Sequence, residues 1–165
     1  MKKIDKDGLI LCELQAKTFE KSYTLQNTSS AIFIRRFMNS AVATQLDNLA
    51  VLQNNTQASD ILKLIDEEYG SSEYGSDKFT PNELYWIGYI YRYYAYTYGK
   101  TSKQVYKTVK PKELRGLFLP YHTMDPAQAI DRILEAKGLA NDDALEEKRQ
   151  FEIYKRIRNH DLKKE

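Results

Sequence analysis

This chain of 165 residues has a single cysteine, Cys12, so an internal disulfide is ruled out and a reducing compartment fits. It has two histidines, His122 and His160, neither with a ligand-spaced partner, so no metal site is expected. His122 is followed directly by Thr123, but the phosphoesterases that use a pair of His-x-Thr or His-x-Ser motifs need one residue between, and no such motif is present. Also missing are a glycine-rich phosphate loop, a Gly-x-Ser-x-Gly elbow and a kinase signature. No apolar run reaches the ~18 residues of a membrane span, and the basic Met1-Lys2-Lys3 start is followed by no apolar signal core. Charge of one sign is scarce as well. Lys and Arg number 25 against 23 acids, so any polyanionic partner must be argued from local charge. These absences lead to the expectations of no catalytic residues, no cofactor, no membrane association and a cytoplasmic location; the remaining enzymatic reading is an unfamiliar site in which scattered carboxylates such as Glu13 and Asp47 meet in space.

Tyrosine is the residue in excess. Seven of the thirteen lie between Tyr85 and Tyr98, together with the only tryptophan, Trp86. The stretch reads as a helix over about 80–98 with both ends marked. Thr80 suits the N-cap, Pro81 the first turn and Glu83 the reciprocal capping position, while Gly99 suits the left-handed residue that ends a helix. Its apolar residues go almost all the way round. One stripe holds Leu84, Ile87, Gly88, Tyr91, Tyr94, Ala95 and Tyr98, a second Trp86, Ile90 and Tyr93, and a third Tyr85, Tyr89 and Tyr96 shared with Arg92. A helix without a polar face is central in a bundle or covered by a partner. Core packing accounts for most of the rings; because Tyr and Trp are enriched at binding hot spots, exposed members of Tyr85, Tyr89, Arg92 and Tyr96 are the first candidates for partner contact.

Around this helix the periodicity predicts an all-α fold of about six to eight helices. Residues 1–8 read as loose. Leu9, Ile10, Leu11, Leu14 and Phe19 then permit a helix to about Tyr23, with Cys12 as a small buried hydrophobe. The run AIFIRRFMNSAVATQLDN follows a cap-rich loop and reads as a second helix, continued by Val42 and Leu46 if it survives Asn39-Ser40; its Arg35 and Arg36 are second candidates for gripping a partner's carboxylate or phosphate, although an ordinary solvated helix side is the simpler explanation. Ala58 to Tyr69 is amphipathic, with Ile61, Leu62, Leu64 and Ile65 inward. GSSEYGSDK, from Gly70, is the most linker-like piece, a subdomain break near 70–79 or a loop. Helical turns are expected over Lys103–Lys110 and Glu113–Phe118, a break at Pro120, and a helix opened by Asp125-Pro126 with Ala129, Ile130, Ile133 and Leu134 inward. Residues 1–140 are read as the helical domain and 141–165 as an exposed, charged helical extension that docks weakly, folds on a partner or joins a homo-oligomer.

Charge is uneven along the chain: residues 41–79 carry seven acids and two lysines, residues 80–116 seven bases and two acids. Within the basic half, Ala95, Gly99 and Val105 match part of the helix-turn-helix spacing. On that pattern Lys100, Lys103, Lys107 and Lys110 would contact phosphates, and Ser102 and Gln104 would reach base edges. Lys100 departs from it, standing where an apolar residue is usual, and the second helix is short. A helical hairpin with a lysine-coated face explains the same residues.

Three segments, DGLILCELQAKTFEKS from Asp7, SSAIFIRRFMNS from Ser29 and ELYWIGYIYRYYAYTYGKTSKQVYKTVKPKELRGLFLPYHTMDPAQAIDRI from Glu83, resemble a family of short bacterial proteins encoded beside small ADP-ribosyltransferase-like toxins. The resemblance spans most of residues 7–135 and brings no catalytic residue with it. It implies an antitoxin or accessory component whose partner is a cognate toxin protein. DNA of its own operon is the alternative partner, since antitoxins often repress their own genes.

Overall fold

The computed structural model describes residues 1–139 and 142–162, with side chains described for 1–139 and 150–160. Among the described residues the fold is all-α: α1 (Lys6–Leu25), α2 (Ser30–Met38), α3 (Ala41–Asp47), a short 3-10 turn (Ala50–Gln53), α4 (Ala58–Tyr69), α5 (Pro81–Tyr98), α6 (Ser102–Thr108), α7 (Pro111–Tyr121), α8 (Pro126–Ala136) and α9 (Asp142–Leu162). No helix among them is long and apolar enough to cross a membrane. The chain divides into two compact units, Met1–Ala127 and Gln128–Glu165. The 70–79 stretch lies inside the first.

The tyrosine helix, α5, has the ends its sequence announces. The Thr80 hydroxyl accepts the Glu83 N–H at 3.2 Å, the Glu83 carboxylate accepts the Thr80 N–H at 2.9 Å, and Gly99 closes the helix at φ 64°. Its most extensive pairing is with α1, and the two run antiparallel. At one end Gly8 of α1 lies under the Tyr96 ring, and at the other Gly88 of α5 lies against Gln15, Ala16 and Phe19. Gly88 is required there. A Cβ at that position would come within 2.9 Å of the Gln15 carbonyl oxygen and of the Phe19 ring, closer than packed atoms approach. The Gln15 side chain completes the junction by donating from Nε2 to the Gly88 carbonyl at 3.0 Å.

Phe19 also joins α1 to α2, its ring 5.5 Å from that of Phe33 and 4.9 Å from that of Phe37, edge to face in both cases. All three rings are buried, each worth about 1.5–3 kcal/mol by the area it removes from water. Cys12 is buried on the same helix, and its thiol is pushed up to about 12 by desolvation, as expected of an inert core residue.

Several boundaries differ from the sequence expectation, each for a local reason. The helix around Arg35 stops at Met38, because the Ser40 side chain accepts the Ala43 N–H at 3.1 Å and caps α3 as a new helix. The first residues are not loose: the Lys2 N–H donates to the Thr97 carbonyl at 2.8 Å, strapping the N-terminus to the end of α5. Nor does 70–79 hang free. Ser29 and Ser30 donate backbone N–H groups to the Tyr74 and Asp77 carbonyls at 3.1 and 3.0 Å, and Phe79 is fully buried. Leu64, expected inside, is 40% exposed, while Ile61, Leu62 and Ile65 are buried as expected. α6 ends at Thr108, two residues before the expected Lys110, Pro111 opens α7, and α7 continues through Pro120 to Tyr121. In the second unit α8 buries Ala129, Ile130, Ile133 and Leu134 and is followed by Gly138 at φ 70°. The described side chains of α9, residues 150–160, are all exposed, among them Phe151, Ile153, Tyr154 and Ile157.

Candidate functional site

A groove of about 710 Å³ opens beside α5 in the first unit, within the usual range for a binding cleft. Tyr85, Trp86 and Tyr89 line it from α5, Phe118, Leu119 and His122 from the end of α7, and Met124 and Pro126 from the following turn and the first residue of α8. Glu20 of α1 and Asn82 of α5 complete the lining. The spacing follows from helix geometry. Tyr85 and Tyr89 are one turn apart on α5, and Phe118 and His122 are one turn apart at the end of α7, so each helix presents two rings in a row.

The rings are held by their neighbours. Tyr85 and Tyr89 lie nearly parallel, 6.5 Å between centroids at 21°, and Tyr89 and Tyr93 continue the row at 6.3 Å and 26°. Trp86 meets Phe118 edge to face at 6.0 Å, and Phe118 stacks on His122 at 4.4 Å. The His122 Nδ1 faces the Phe118 carbonyl at 2.7 Å and the Leu119 carbonyl at 3.1 Å. That nitrogen therefore carries a proton, and in the neutral ring Nε2 is left as an acceptor. Burial pushes the Tyr89 phenol up to about 12, with Cys12, Tyr85 and Tyr93 adding to the effect. The Tyr85 and Tyr93 phenols are raised too, first by burial and then by the carboxylates of Glu13 and Asp125 respectively. All three hydroxyls thus remain neutral donors over the ordinary pH range. Leu119, 79% exposed, stands at the edge as an uncovered apolar side chain.

Of the candidate contact residues, Tyr85 and Tyr89 line this groove. Arg92 does not, and this corrects the sequence expectation: it is 1% exposed and sits in the core. Its Nε donates to Gln15 Oε1 at 2.8 Å, Nη1 to Asp47 Oδ1 at 2.6 Å and Nη2 to Ser102 Oγ at 2.6 Å. Asp47 in turn accepts the Ser102 N–H at 3.0–3.1 Å and its hydroxyl at 2.7 Å. One guanidinium so ties α1, the end of α3, α5 and the start of α6. Tyr96 is used within the chain as well. Its hydroxyl donates to Asp5 at 2.6 Å, and the Lys2 ammonium lies 4.0 Å from its ring centroid. The Tyr96 phenol is pushed up to about 12 by the bond to Asp5, and the same bond, with the Gly8 N–H, holds Asp5 below its ordinary value. Arg35 is exposed, whereas Arg36 turns to the end of α4, 3.5 Å from the Gly70 carbonyl and 5.6 Å from the Tyr69 ring.

The candidate nucleic-acid residues are divided. Ser102 is 1% exposed and bound to Arg92 and Asp47, so it reaches no base edge, a second correction. Gln104 is exposed, but its Oε1 accepts the Thr101 N–H at 2.9 Å as half of a capping box. Lys103, Lys107 and Lys110 are exposed and Lys100 half-buried; Lys110 also stands 4.3 Å from the Tyr106 ring. Arg115, which extends the basic run in the sequence, is engaged by Asp77 at 3.2 Å and Glu83 at 3.4 Å.

Sequence reasoning missed Glu20, Asn82, Phe118, Leu119, Met124 and Pro126 as groove residues and weighed His122 only as a metal ligand or catalyst. The one local signal was the repeat of rings at one-turn spacing on two separate helices. A second depression, of about 380 Å³, lies between α1 and the turn before α4 and includes Asp7, Glu13, Lys17, Asn55 and Gln57. It offers no aromatic wall, and Glu13 and Lys17 already pair across 3.0 Å. No cluster of three or more His, Cys, Asp or Glu side chains suited to a metal occurs among the described residues.

Fold and site together define an all-α protein with an aromatic groove on its central tyrosine helix. Comparison with known protein families, with curated proteins and with solved structures returns no match.

Proposed function

We propose that this is a non-enzymatic binding protein that seats a partner protein in the Tyr85–Tyr89 groove. Its place is the bacterial cytoplasm, as the antitoxin of a two-gene module, holding the cognate toxin by direct contact. The observation that supports this reading is the composition of the groove. Aromatic rings and a methionine, residue types enriched at protein interfaces, line it beside an exposed leucine. The antitoxin assignment rests on the resemblance of residues 7–135.

Co-expression with the toxin encoded beside it tests both parts. The wild-type chain restores growth, and a Tyr85→Ala/Tyr89→Ala variant fails to, with affinity reduced by about 2 kcal/mol or more if these rings are hot spots. Thermal unfolding of the variant, run in parallel, separates weakened binding from a damaged fold. A toxin equally harmful with and without the wild-type chain removes the antitoxin reading, and neutralisation by the double variant removes the groove.

A second reading is favoured by the exposed lysines of α6, which make a face suited to DNA phosphates. With Ser102 buried and Gln104 engaged as a cap, such binding would be electrostatic rather than base-reading. In gel shifts with its own promoter it should weaken steeply with salt. Lys103→Ala/Lys107→Ala should then lower the salt slope by about two, since each lysine that neutralises a phosphate adds about one. An unchanged slope, or no shift at low salt, excludes it.

A further inference from the structure

We propose that the groove is built to receive a cationic side chain, arginine before lysine, presented by the partner protein. The inference rests on the groove being the partner site and specifies what the partner must bring to it.

Three observations converge. The first is the ring arrangement. Tyr85 and Tyr89 line the groove with nearly parallel rings one turn apart on α5, and Trp86 and Phe118, which meet edge to face, line it with them. The face of an aromatic ring is its electronegative part, and a guanidinium or ammonium over it gains energy that a neutral side chain does not. The second is the carboxylate. Glu20 is exposed, lines the same groove as these rings and enters no ion pair among the described residues. The third is the charge around them. Glu13 acts on Tyr85 and Asp125 on Tyr93, whereas the one base acting on Tyr85, Lys17, is held by Glu13 at 3.0 Å. The groove therefore combines aromatic rings with a carboxylate, and no lysine or arginine among the described residues lines it.

The three kinds of occupant differ in what they do to Glu20. A purely apolar anchor would cover a carboxylate without compensating it, which is costly once water is excluded. An acidic anchor would be repelled. A guanidinium satisfies both features, since it can stack flat on a tyrosine ring while bonding a carboxylate through two N–H groups. A lysine ammonium keeps the charge and loses the planar fit.

The test uses Trp86, the chain's only tryptophan, which lines the groove and reports occupancy through its fluorescence. The full chain is titrated with acetyl-triarginine amide, with its isosteric citrulline counterpart and with acetyl-triglutamate amide. The arginine peptide should change Trp86 emission saturably and bind about tenfold more tightly than the citrulline peptide, and the glutamate peptide should give no change. Glu20→Gln, a surface substitution that keeps the side-chain shape, should reduce that preference to about twofold or less. Equal binding of arginine and citrulline peptides, an unaltered preference in E20Q, or no emission change with any peptide overturns the cationic assignment while leaving the groove as the partner site. Toxin neutralisation that survives Tyr85→Ala/Tyr89→Ala overturns the groove itself.

Discussion

Replacing Arg92 with methionine is expected to remove about 3–5 kcal/mol of folding stability, the largest loss from any single change at the polar residues of this core. The guanidinium is buried and donates through Nε, Nη1 and Nη2 to three different elements. Its removal leaves Gln15 Oε1 without its donor and strips Asp47 of its countercharge, although Ser102 continues to serve that carboxylate through its N–H and hydroxyl. Arg92→Lys should recover only part of the stability, because an ammonium cannot span the fork that reaches Gln15, Asp47 and Ser102 together. Arg92→Met with Asp47→Ala should cost less than the sum of the two single changes, by about 0.5–3 kcal/mol, because the second change removes the charge that the first leaves uncompensated. Urea unfolding midpoints of the wild type and these variants measure each effect. Set against the about 5–15 kcal/mol typical of a whole domain, the single loss leaves R92M near the limit of folding. A loss under about 1 kcal/mol would mean that Arg92 is replaceable and that α3 and α6 are held by other interactions.

Arg92 also shows where the sequence could be read and where it could not. Caps are local, so Thr80, Pro81, Glu83 and Gly99 announced the two ends of α5, and Ser40 carried a cap signal that competed with a continuous helix across Asn39. The side that a charged residue faces is not local. Arg92 looked like the wet member of a tyrosine stripe because its partners lie 77 residues away at Gln15 and 45 away at Asp47. Ser102, ten residues on, had the right spacing for a base-reading position and was needed in the core instead. Pro120 misled for a different reason. It stands one residue before the end of α7, so the missing N–H removes only one bond, to the Gly116 carbonyl, from the last turn. The groove was legible only in halves. Tyr85, Trp86 and Tyr89 drew notice as an aromatic cluster, whereas Phe118, His122 and Met124 meet them through the docking of α7 on α5, which no spacing within one helix encodes.

The tyrosines that build this core should also limit it at high pH. Stability is expected to fall steeply above about pH 10, where an unfolded tyrosine ionises. In the folded chain the Tyr91 hydroxyl is buried and donates to the Val109 carbonyl at 2.6 Å, and desolvation raises its phenol well above the ordinary value. Burial and the bond to Asp5 respectively hold Tyr89 and Tyr96 up to about 12. A group whose folded value is raised stabilises fully below its unfolded value, and loses that contribution as pH climbs toward the folded one. Over this window the unfolded chain binds fewer protons than the folded chain, so the slope of unfolding free energy against pH is negative. It amounts to about 1.4 kcal/mol per pH unit for Tyr91 alone. Tyr89 and Tyr96 act in the same direction and more weakly, because solvent reaches them. Tyr91→Phe provides the internal control. It should be about 1 kcal/mol less stable than the wild type at neutral pH, from the missing hydrogen bond, and should fall less steeply in alkali because one titrating group is gone. The two stability curves should therefore meet near about pH 11 and cross beyond it, as followed by urea unfolding at each pH, with phenolate absorbance marking ionisation. Parallel curves from neutral pH upward would show that Tyr91 ionises as readily in the folded chain as in the unfolded one.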